Sequence, residues 1–369
     1  MPADHSPCTA STQDTYSAKV VPIPSPALNQ TQISGRHLCV GRSACLRYCL
    51  DFMSVAFLAC YPGRNFFKPK GNGDMSTVCI TAPKRQSWGK RLLHFPLTKI
   101  VIATFLAVAS AVLTFKLAKA IAAKEMRIIW PEIISAIVVL LSYWAYVRLV
   151  EKRPVTELSR LNALSEIVVG LLIGTLMVEA EIGALYALGH YELTGINNWT
   201  MKLVQPLAVM VFVGVIEEVI GRGIIFRITE EALGSLPAIL ISALLFGLAH
   251  IPGKDAGVMA IGNTVAAGAF FAAAYMLTRR LWLCIAIHAA WNYTLGSIFS
   301  IAVSGQASSG LLNGRLTGPE WITGGAYGLE ASVLTLVALV IVGGYFFWLA
   351  HKRGHFVAPI WRRVSLSVA

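Results

Sequence analysis

From residue 98 onward the sequence is a series of long apolar runs separated by short loops rich in Lys and Arg. Overall, 56% of the 369 residues are hydrophobic and only 14% are charged, whereas a soluble domain carries about 25% charged residues. About 20 apolar residues cross the bilayer core as one helix. The sequence therefore predicts an all-α, polytopic transmembrane bundle of about eight spans. The predicted spans are 98–118, 128–149, 164–188, 203–227, 236–252, 257–278, 281–303 and 330–350.

The net charge of +12 comes from basic residues that lie mostly between and outside the apolar runs. In a membrane protein such loops face the cytoplasm and attract anionic lipid headgroups. We therefore expect an integral, multi-pass protein in the lipid bilayer, in the plasma membrane if the host is bacterial, with both termini cytoplasmic and no nucleic-acid partner. One loop conflicts with this orientation, because Lys116, Lys119, Lys124 and Arg127 fall on the predicted outer side.

Three regions are predicted along the chain. Residues 1–95 mix Pro, Ser, Gly and polar residues without periodicity, which predicts a disordered basic extension. Residues 96–352 form the transmembrane domain, and residues 353–369 form a basic cytoplasmic tail. Six of the seven cysteines lie in the extension and are expected to be free thiols, because Cys45 and Cys49 have no second pair with matching zinc-site spacing.

The run 203–227 contains three charged residues within six positions: Glu217, Glu218 and Arg222. A charge near the bilayer centre costs at least about 2.5–3.5 kcal/mol on insertion scales, so such groups usually serve a function. Glu218 and Arg222 are four residues apart and can pair on one helix face. Glu217 is rotated by about 100° from Glu218, which leaves it free to face a cavity.

Two further apolar runs each contain one histidine in a four-residue spacing. Phe246 precedes His250, and His288 precedes Asn292. Each histidine alone is as well explained by a helix–helix hydrogen bond. Together, a buried Glu and His can activate water by general base catalysis, and His288 with Asn292 can donate to a developing oxyanion. The same residues, Glu217, His250 and His288, could instead hold a zinc ion.

The three patterns Glu-Glu-x-x-x-Arg, Phe-x-x-x-His and His-x-x-x-Asn, in this order on apolar helices, resemble the motifs of the CPBP (CAAX-processing and bacteriocin-processing, or Abi) intramembrane proteases. That family includes the type 2 CAAX prenyl endopeptidase. The resemblance covers about residues 150 to 300, including Lys152 to Leu158, which resembles the basic segment before the family's core.

The resemblance implies an intramembrane endopeptidase that cleaves a membrane-associated peptide or protein. A prenylated CAAX-type substrate requires a host with prenyltransferases, and in any other host the resemblance implies peptide maturation, bacteriocin immunity or processing of membrane proteins. By that resemblance Glu217 and His250 activate the water, Glu218 pairs with Arg222, and His288 with Asn292 stabilises the oxyanion. Both metallo- and glutamate-dependent mechanisms are compatible with it. We favour the metal-free one, because Glu217 and His250 alone are one ligand short of a catalytic zinc site. A non-catalytic scaffold or immunity protein of the same family, or an ion-coupled transporter, are the alternatives.

Overall fold

The computed structural model of the chain describes residues 92–93, 95–123, 129–198 and 201–363. The predicted extension 1–95 lies outside the described residues except for Leu92, Leu93 and Phe95, as do the six N-terminal cysteines. Part of the loop that conflicts with the predicted orientation, 124–128, also lies outside them.

The described part of the chain is mainly helical, as predicted. Its longer helices are α1 (Pro96–Ile121), α2 (Trp130–Ala145), α3 (Ala163–Ala187), α4 (Met201–Glu218), α5 (Arg227–Leu233), α6 (Ser235–Ala249), α7 (Val258–Thr278), α8 (Trp282–Tyr293) and α10 (Val333–Lys352), and the two shortest are α9 (Glu320–Thr323) and α11 (Ile360–Arg363). Three π-helical segments extend α2, α4 and α8, namely Tyr146–Glu151, Val219–Phe226 and Thr294–Ile298.

Six of the described helical segments are long and apolar enough to cross a bilayer: 96–121, 130–151, 163–187, 203–233, 258–278 and 333–352. The other two predicted spans are shorter helices, so the count of eight is not confirmed. In the first, α6 is 15 residues long and ends before a turn that contains Pro252. In the second, the 12-residue α8 and its five-residue π-helix end before Ser300, whose φ of 56° is left-handed and breaks the helix.

The sequence did not predict any strand, but the structure contains a small antiparallel pair. Strand β1 (Tyr191–Ile196) follows α3, and β2 (Leu312–Leu316) follows the loop after α8. Tyr191 pairs with Leu316 and Ile196 with Leu312. This pair connects two loops that are more than 100 residues apart in the chain, which is why local periodicity did not indicate it.

Lipid-facing and internal surfaces of the bundle have opposite chemistry. Large apolar side chains such as Phe105, Leu141 and Val340 are exposed on the outside, while charged side chains such as Glu218 and Arg222 are fully buried. A protein dissolved in water would hide the first group and expose the second. The chain is therefore an integral, multi-pass membrane protein.

One end of the bundle is held by buried ion pairs. Arg227 lies 3.0 Å from Glu151 and 3.5 Å from Glu157, and all three side chains are buried. Arg227 also lies 2.7 Å from the half-exposed Glu231, and Arg153 lies 2.9 Å from Glu157. The basic segment 152–158 is thereby joined to the end of the helical segment that carries the charged motif.

Two glycines in α3 allow the backbones of α3 and α8 to pack in direct contact. A Cβ on Gly174 would lie 2.5 Å from the carbonyl oxygen of Ile287, and one on Gly170 would lie 2.7 Å from the Cβ of Ala286. Small residues permit such close packing in membranes. Because Ile287 is next to His288, this contact sets the position of the histidine.

This packing predicts that Gly174→Ala destabilises the protein by about 1–3 kcal/mol, because the methyl group cannot avoid a backbone atom. Gly183 lies in the same helix with nothing within 4 Å of the corresponding Cβ, so Gly183→Ala should be neutral or slightly stabilising. Thermal unfolding of both variants in detergent measures the difference. Equal unfolding midpoints would contradict the assigned α3–α8 contact.

Candidate active site

The two adjacent glutamates at the end of α4 point in different directions. The side chain of Glu218 is fully buried, whereas that of Glu217 retains 31% of its exposure. Glu217 lines an internal cavity of about 500 Å³. The helical rotation between neighbouring residues thus separates one carboxylate that contacts protein from another that faces open space.

Glu218 is the centre of a buried hydrogen-bonded cluster. Its Oε1 accepts a hydrogen bond from Arg222 Nη1 at 2.9 Å and lies 2.8 Å from His288 Nδ1. Arg222 also donates through Nη2 to the carbonyl oxygen of Gly268 at 3.2 Å. Its guanidinium lies 4.6 Å and 4.8 Å from the ring centres of Phe246 and Phe271. The cluster therefore connects α4 and its π-helix to α6, α7 and α8.

His250 lies at the C-terminal end of α6. The predicted span 236–252 would have placed it inside the helix. Its Nδ1 lies 2.8 Å from the carbonyl oxygen of Phe246. A carbonyl oxygen only accepts, so Nδ1 carries the proton and donates, and in the neutral ring Nε2 is an acceptor. That Nε2 lies 4.0 Å from Glu217 Oε2.

His288 and Asn292 lie on α8, and both line the cavity. His288 stacks on Phe271 with a centroid distance of 5.0 Å, and its Nε2 lies 3.8 Å from Glu217 Oε2. Its Nδ1 faces Glu218, a contact that the sequence analysis did not predict. The four residues expected to act together, Glu217, His250, His288 and Asn292, thus surround one cavity.

One further carboxylate lies in the wall of the cavity and was not predicted from the sequence. Glu330 lies just before α10 and receives hydrogen bonds from Trp291 Nε1 at 3.2 Å, from the backbone N–H of Ser304 at 2.5 Å and from its Oγ at 3.0 Å. Burial raises the pKa of the Glu330 carboxyl, and the hydrogen bonds from Ser304 and Trp291 partly oppose that rise. The only feature of the sequence that could have indicated Glu330 is its position as a single acidic residue at the start of an apolar run.

The arrangement of Glu217, His250 and His288 does not fit a zinc site as it stands. Zinc bonds of about 2.0–2.2 Å in a tetrahedron place two ligand atoms about 3.3–3.6 Å apart. The nitrogens of His250 and His288 are instead 4.0 Å and 3.8 Å from Glu217 Oε2. Within the described ranges no group of three or more His, Cys, Asp or Glu side chains is arranged to hold a metal ion.

Fold and site together define a polytopic helical membrane protein with a carboxylate and two imidazoles around an internal cavity. Residues 198–294 match the model of the family described as Type II CAAX prenyl endopeptidase Rce1-like. The matched segment contains all seven residues of the three motifs, and its family agrees with the one that these motifs resemble. The match supports, at the level of the family, a CAAX-type intramembrane protease. No curated protein matches the chain.

The buried cluster predicts different roles in stability for two glutamates that each pair with an arginine four residues away. Glu218→Gln should destabilise the protein by about 3 kcal/mol, because it leaves the charge of Arg222 unbalanced in a buried site. Glu231→Gln should cost less than about 1 kcal/mol, because Glu231 is 49% exposed and Arg227 keeps Glu151 as a partner. Unfolding midpoints in the same detergent test this. A Glu218 variant as stable as the Glu231 variant would contradict it.

Proposed function

We propose that the protein is an intramembrane endopeptidase that hydrolyses a peptide bond of a membrane-associated substrate. Glu217 and His250 activate the attacking water, and His288 and Asn292 stabilise the oxyanion. Prenylated proteins that end in a CAAX sequence are the substrate class that the family description favours. We further propose that residues 96–352 form the protease domain, followed by the tail 353–369, with both termini on the cytoplasmic side.

The observation that carries this proposal is the position of Glu217 relative to the two imidazoles. Its Oε2 lies 4.0 Å from His250 Nε2 and 3.8 Å from His288 Nε2. These separations are too long for direct hydrogen bonds. They match a water oxygen about 2.8 Å from each of two partners. The acid thus lies where one water can reach both it and an imidazole.

The hydrogen bonds of His250 define its part in activating that water. Since Nδ1–H is directed to the Phe246 carbonyl, Nε2 accepts one hydrogen of the water while Glu217 accepts the other. A lone pair of the water oxygen is then directed at the substrate carbonyl. Glu217 takes the proton as the carbon–oxygen bond forms, and it returns the proton to the leaving nitrogen when the peptide bond breaks.

The oxyanion role of His288 requires a proton on each ring nitrogen. Its Nδ1 faces the Glu218 carboxylate, so only a second proton on Nε2 can be donated to the substrate oxygen. Charge balance permits this state, because the carboxylates of Glu217 and Glu218 together offset the charges of Arg222 and His288. The side-chain amide of Asn292 supplies a second donor, as oxyanion stabilisation requires.

Glu217→Gln is predicted to abolish proteolysis without lowering the abundance or thermal stability of the protein. The amide keeps the shape of the side chain but cannot accept the proton of water. Activity on a synthetic farnesylated CAAX peptide in vesicles, and mass spectrometry of peptides that accumulate in the membranes of cells carrying the variant, provide the readouts.

Glu192→Gln is the matched control for this prediction, because Glu192 is exposed on β1 away from the cavity. It should leave cleavage unchanged. Residual activity of Glu217→Gln above about one hundredth of the unchanged protein would show that Glu217 is not the general base, since general acid–base catalysis contributes about 10²–10⁴-fold.

The separations around Glu217 also predict how activity depends on metal. Activity should survive a tight chelator, and the purified protein should bind zinc at well below one ion per chain. Metal analysis together with the peptide assay measures both quantities. Stoichiometric zinc that is lost together with activity in His250→Ala would instead make Glu217, His250 and His288 ligands.

A further inference from the structure

Part of the cavity wall is formed by residues that belong to none of the three motifs. This wall is formed by a loop between α8 and β2, of which Val303, Ser304 and residues 306–308 line the same cavity as Glu217 and His288. We call residues 306–309 the cavity-edge segment. Gln306, Ala307 and Ser309 are exposed, and Ser308 is partly exposed.

The chain is firmly held immediately before the cavity-edge segment. Val303 and Gln306 exchange two backbone hydrogen bonds of 3.0 Å and 2.8 Å across a tight turn. Both central residues of this turn have positive φ, 48° at Ser304 and 78° at Gly305. Glu330 accepts from the N–H and Oγ of Ser304, and the N–H of Gly305 donates to a further carbonyl at 2.9 Å.

The chain is held again immediately after the segment. The N–H of Gly310 donates to Ser300 Oγ at 2.7 Å, and its carbonyl oxygen accepts from Asn197 Nδ2 at 2.8 Å. The N–H of Leu311 donates to the carbonyl oxygen of Ser297 at 2.8 Å. The two anchors fix the position of the backbone between them.

Between these anchors, the backbone groups of residues 307–309 make no hydrogen bond to any other residue in the described ranges. Backbone N–H and C=O groups in a folded protein are nearly always paired with protein or with water. Fixed, unpaired groups at the rim of a cavity are also available to a partner chain. Extended peptides commonly bind in this way, by pairing their main chain with an open edge.

We propose that the cavity-edge segment binds the substrate main chain in an extended conformation and so places its scissile bond over Glu217. This inference rests on the proposed proteolytic function. The edge lies on the same cavity as the candidate catalytic residues, so a chain paired with it passes by them. Pairing through the main chain selects an unfolded peptide and places few demands on its sequence.

Glu330 acts here as a positioning residue. Its Oε2 holds Ser304 in the turn, and its Oε1 accepts from Trp291 on α8, between His288 and Asn292. One carboxylate therefore fixes the peptide-binding edge relative to the helix that carries the proposed oxyanion donors. Glutamine cannot replace Glu330 fully, because its side chain has one oxygen and one NH₂ group. The NH₂ group would face either the indole N–H of Trp291 or the backbone N–H of Ser304, and both of these groups can only donate.

A proline scan tests the proposal. Ala307→Pro, Ser308→Pro and Ser309→Pro each remove one backbone N–H, and none of these three residues has a positive φ, which proline could not adopt. Along an extended segment alternate residues direct their N–H groups to the same side. We therefore expect one of two patterns: either Ser308→Pro alone lowers kcat/KM on the farnesylated CAAX peptide, or Ala307→Pro and Ser309→Pro both do. Each affected variant should lose about tenfold, which corresponds to one lost hydrogen bond. Each position is thus the control for its neighbour.

Three unaffected variants, or equal losses at all three positions, would overturn main-chain pairing. If a proline variant does not accumulate, the same test is made on the unchanged protein with peptides that are N-methylated at one backbone nitrogen at a time. Alternating sensitivity supports the proposal, and uniform sensitivity overturns it. Glu330→Gln should lower kcat/KM and speed hydrogen exchange in residues 300–310, while exchange in α7 stays unchanged.

The binding step can be measured without turnover, which separates this inference from the proposed function. The farnesylated peptide, added to Glu217→Gln protein, should slow hydrogen exchange in residues 306–309. Protection of this segment without cleavage by the unchanged protein would support the binding edge and contradict the protease assignment. Cleavage by the unchanged protein without protection in the variant would overturn the binding edge alone.

Discussion

The contact of the Glu218 carboxylate with Arg222 on one side and His288 on the other holds the rest of the site in place. Arg222 fills the space between α4, α6 and α7 and lies against the rings of Phe246 and Phe271. Phe246 in turn supplies the carbonyl that orients His250, and Phe271 supports the ring of His288. A buried charge is costly unless it is paired. Here the pair also orients both proposed catalytic imidazoles.

The same contact explains why two adjacent glutamates can have different chemistry. Glu218 is enclosed by protein and has an arginine and an imidazole as partners, so it serves as a fixed negative charge. Glu217, one residue earlier, faces the cavity with part of its surface accessible. The close approach of α3 to α8 through Gly174 fixes the third side of this site, because it positions the backbone next to His288.

The helical class could be predicted from sequence, because it depends on local spacing. The gathering of Glu217, His250, His288 and Asn292 could be predicted only because the three motifs together resemble those of a known family. Helix period and span length are properties of neighbouring residues. The count of spans was not confirmed, because α6 and α8 end earlier than hydropathy indicates. The helix α6 ends before a turn that contains Pro252, and α8 with its π-helix ends before Ser300, which has a left-handed backbone conformation.

What could not be predicted depends on contacts between distant parts of the chain. The bond between His288 and Glu218 joins residues 70 positions apart. The strand pair and the anchoring of Ser304 by Glu330 have the same character, since neither leaves a periodic pattern. The cavity-edge segment also lies outside residues 198–294, the part that matches the family model. Its sequence of small polar residues resembles an ordinary loop, and only its two anchors indicate a binding surface.

The central claim is that Glu217 activates a water molecule that attacks the peptide bond directly. A single-turnover reaction with excess enzyme in ¹⁸O-labelled water tests this most directly. Direct attack predicts one ¹⁸O atom in the new carboxyl group of the product and none in the enzyme peptide that contains Glu217. An unlabelled product, with the label found in Glu217, would show that the carboxylate attacks as a nucleophile, and it would contradict the account.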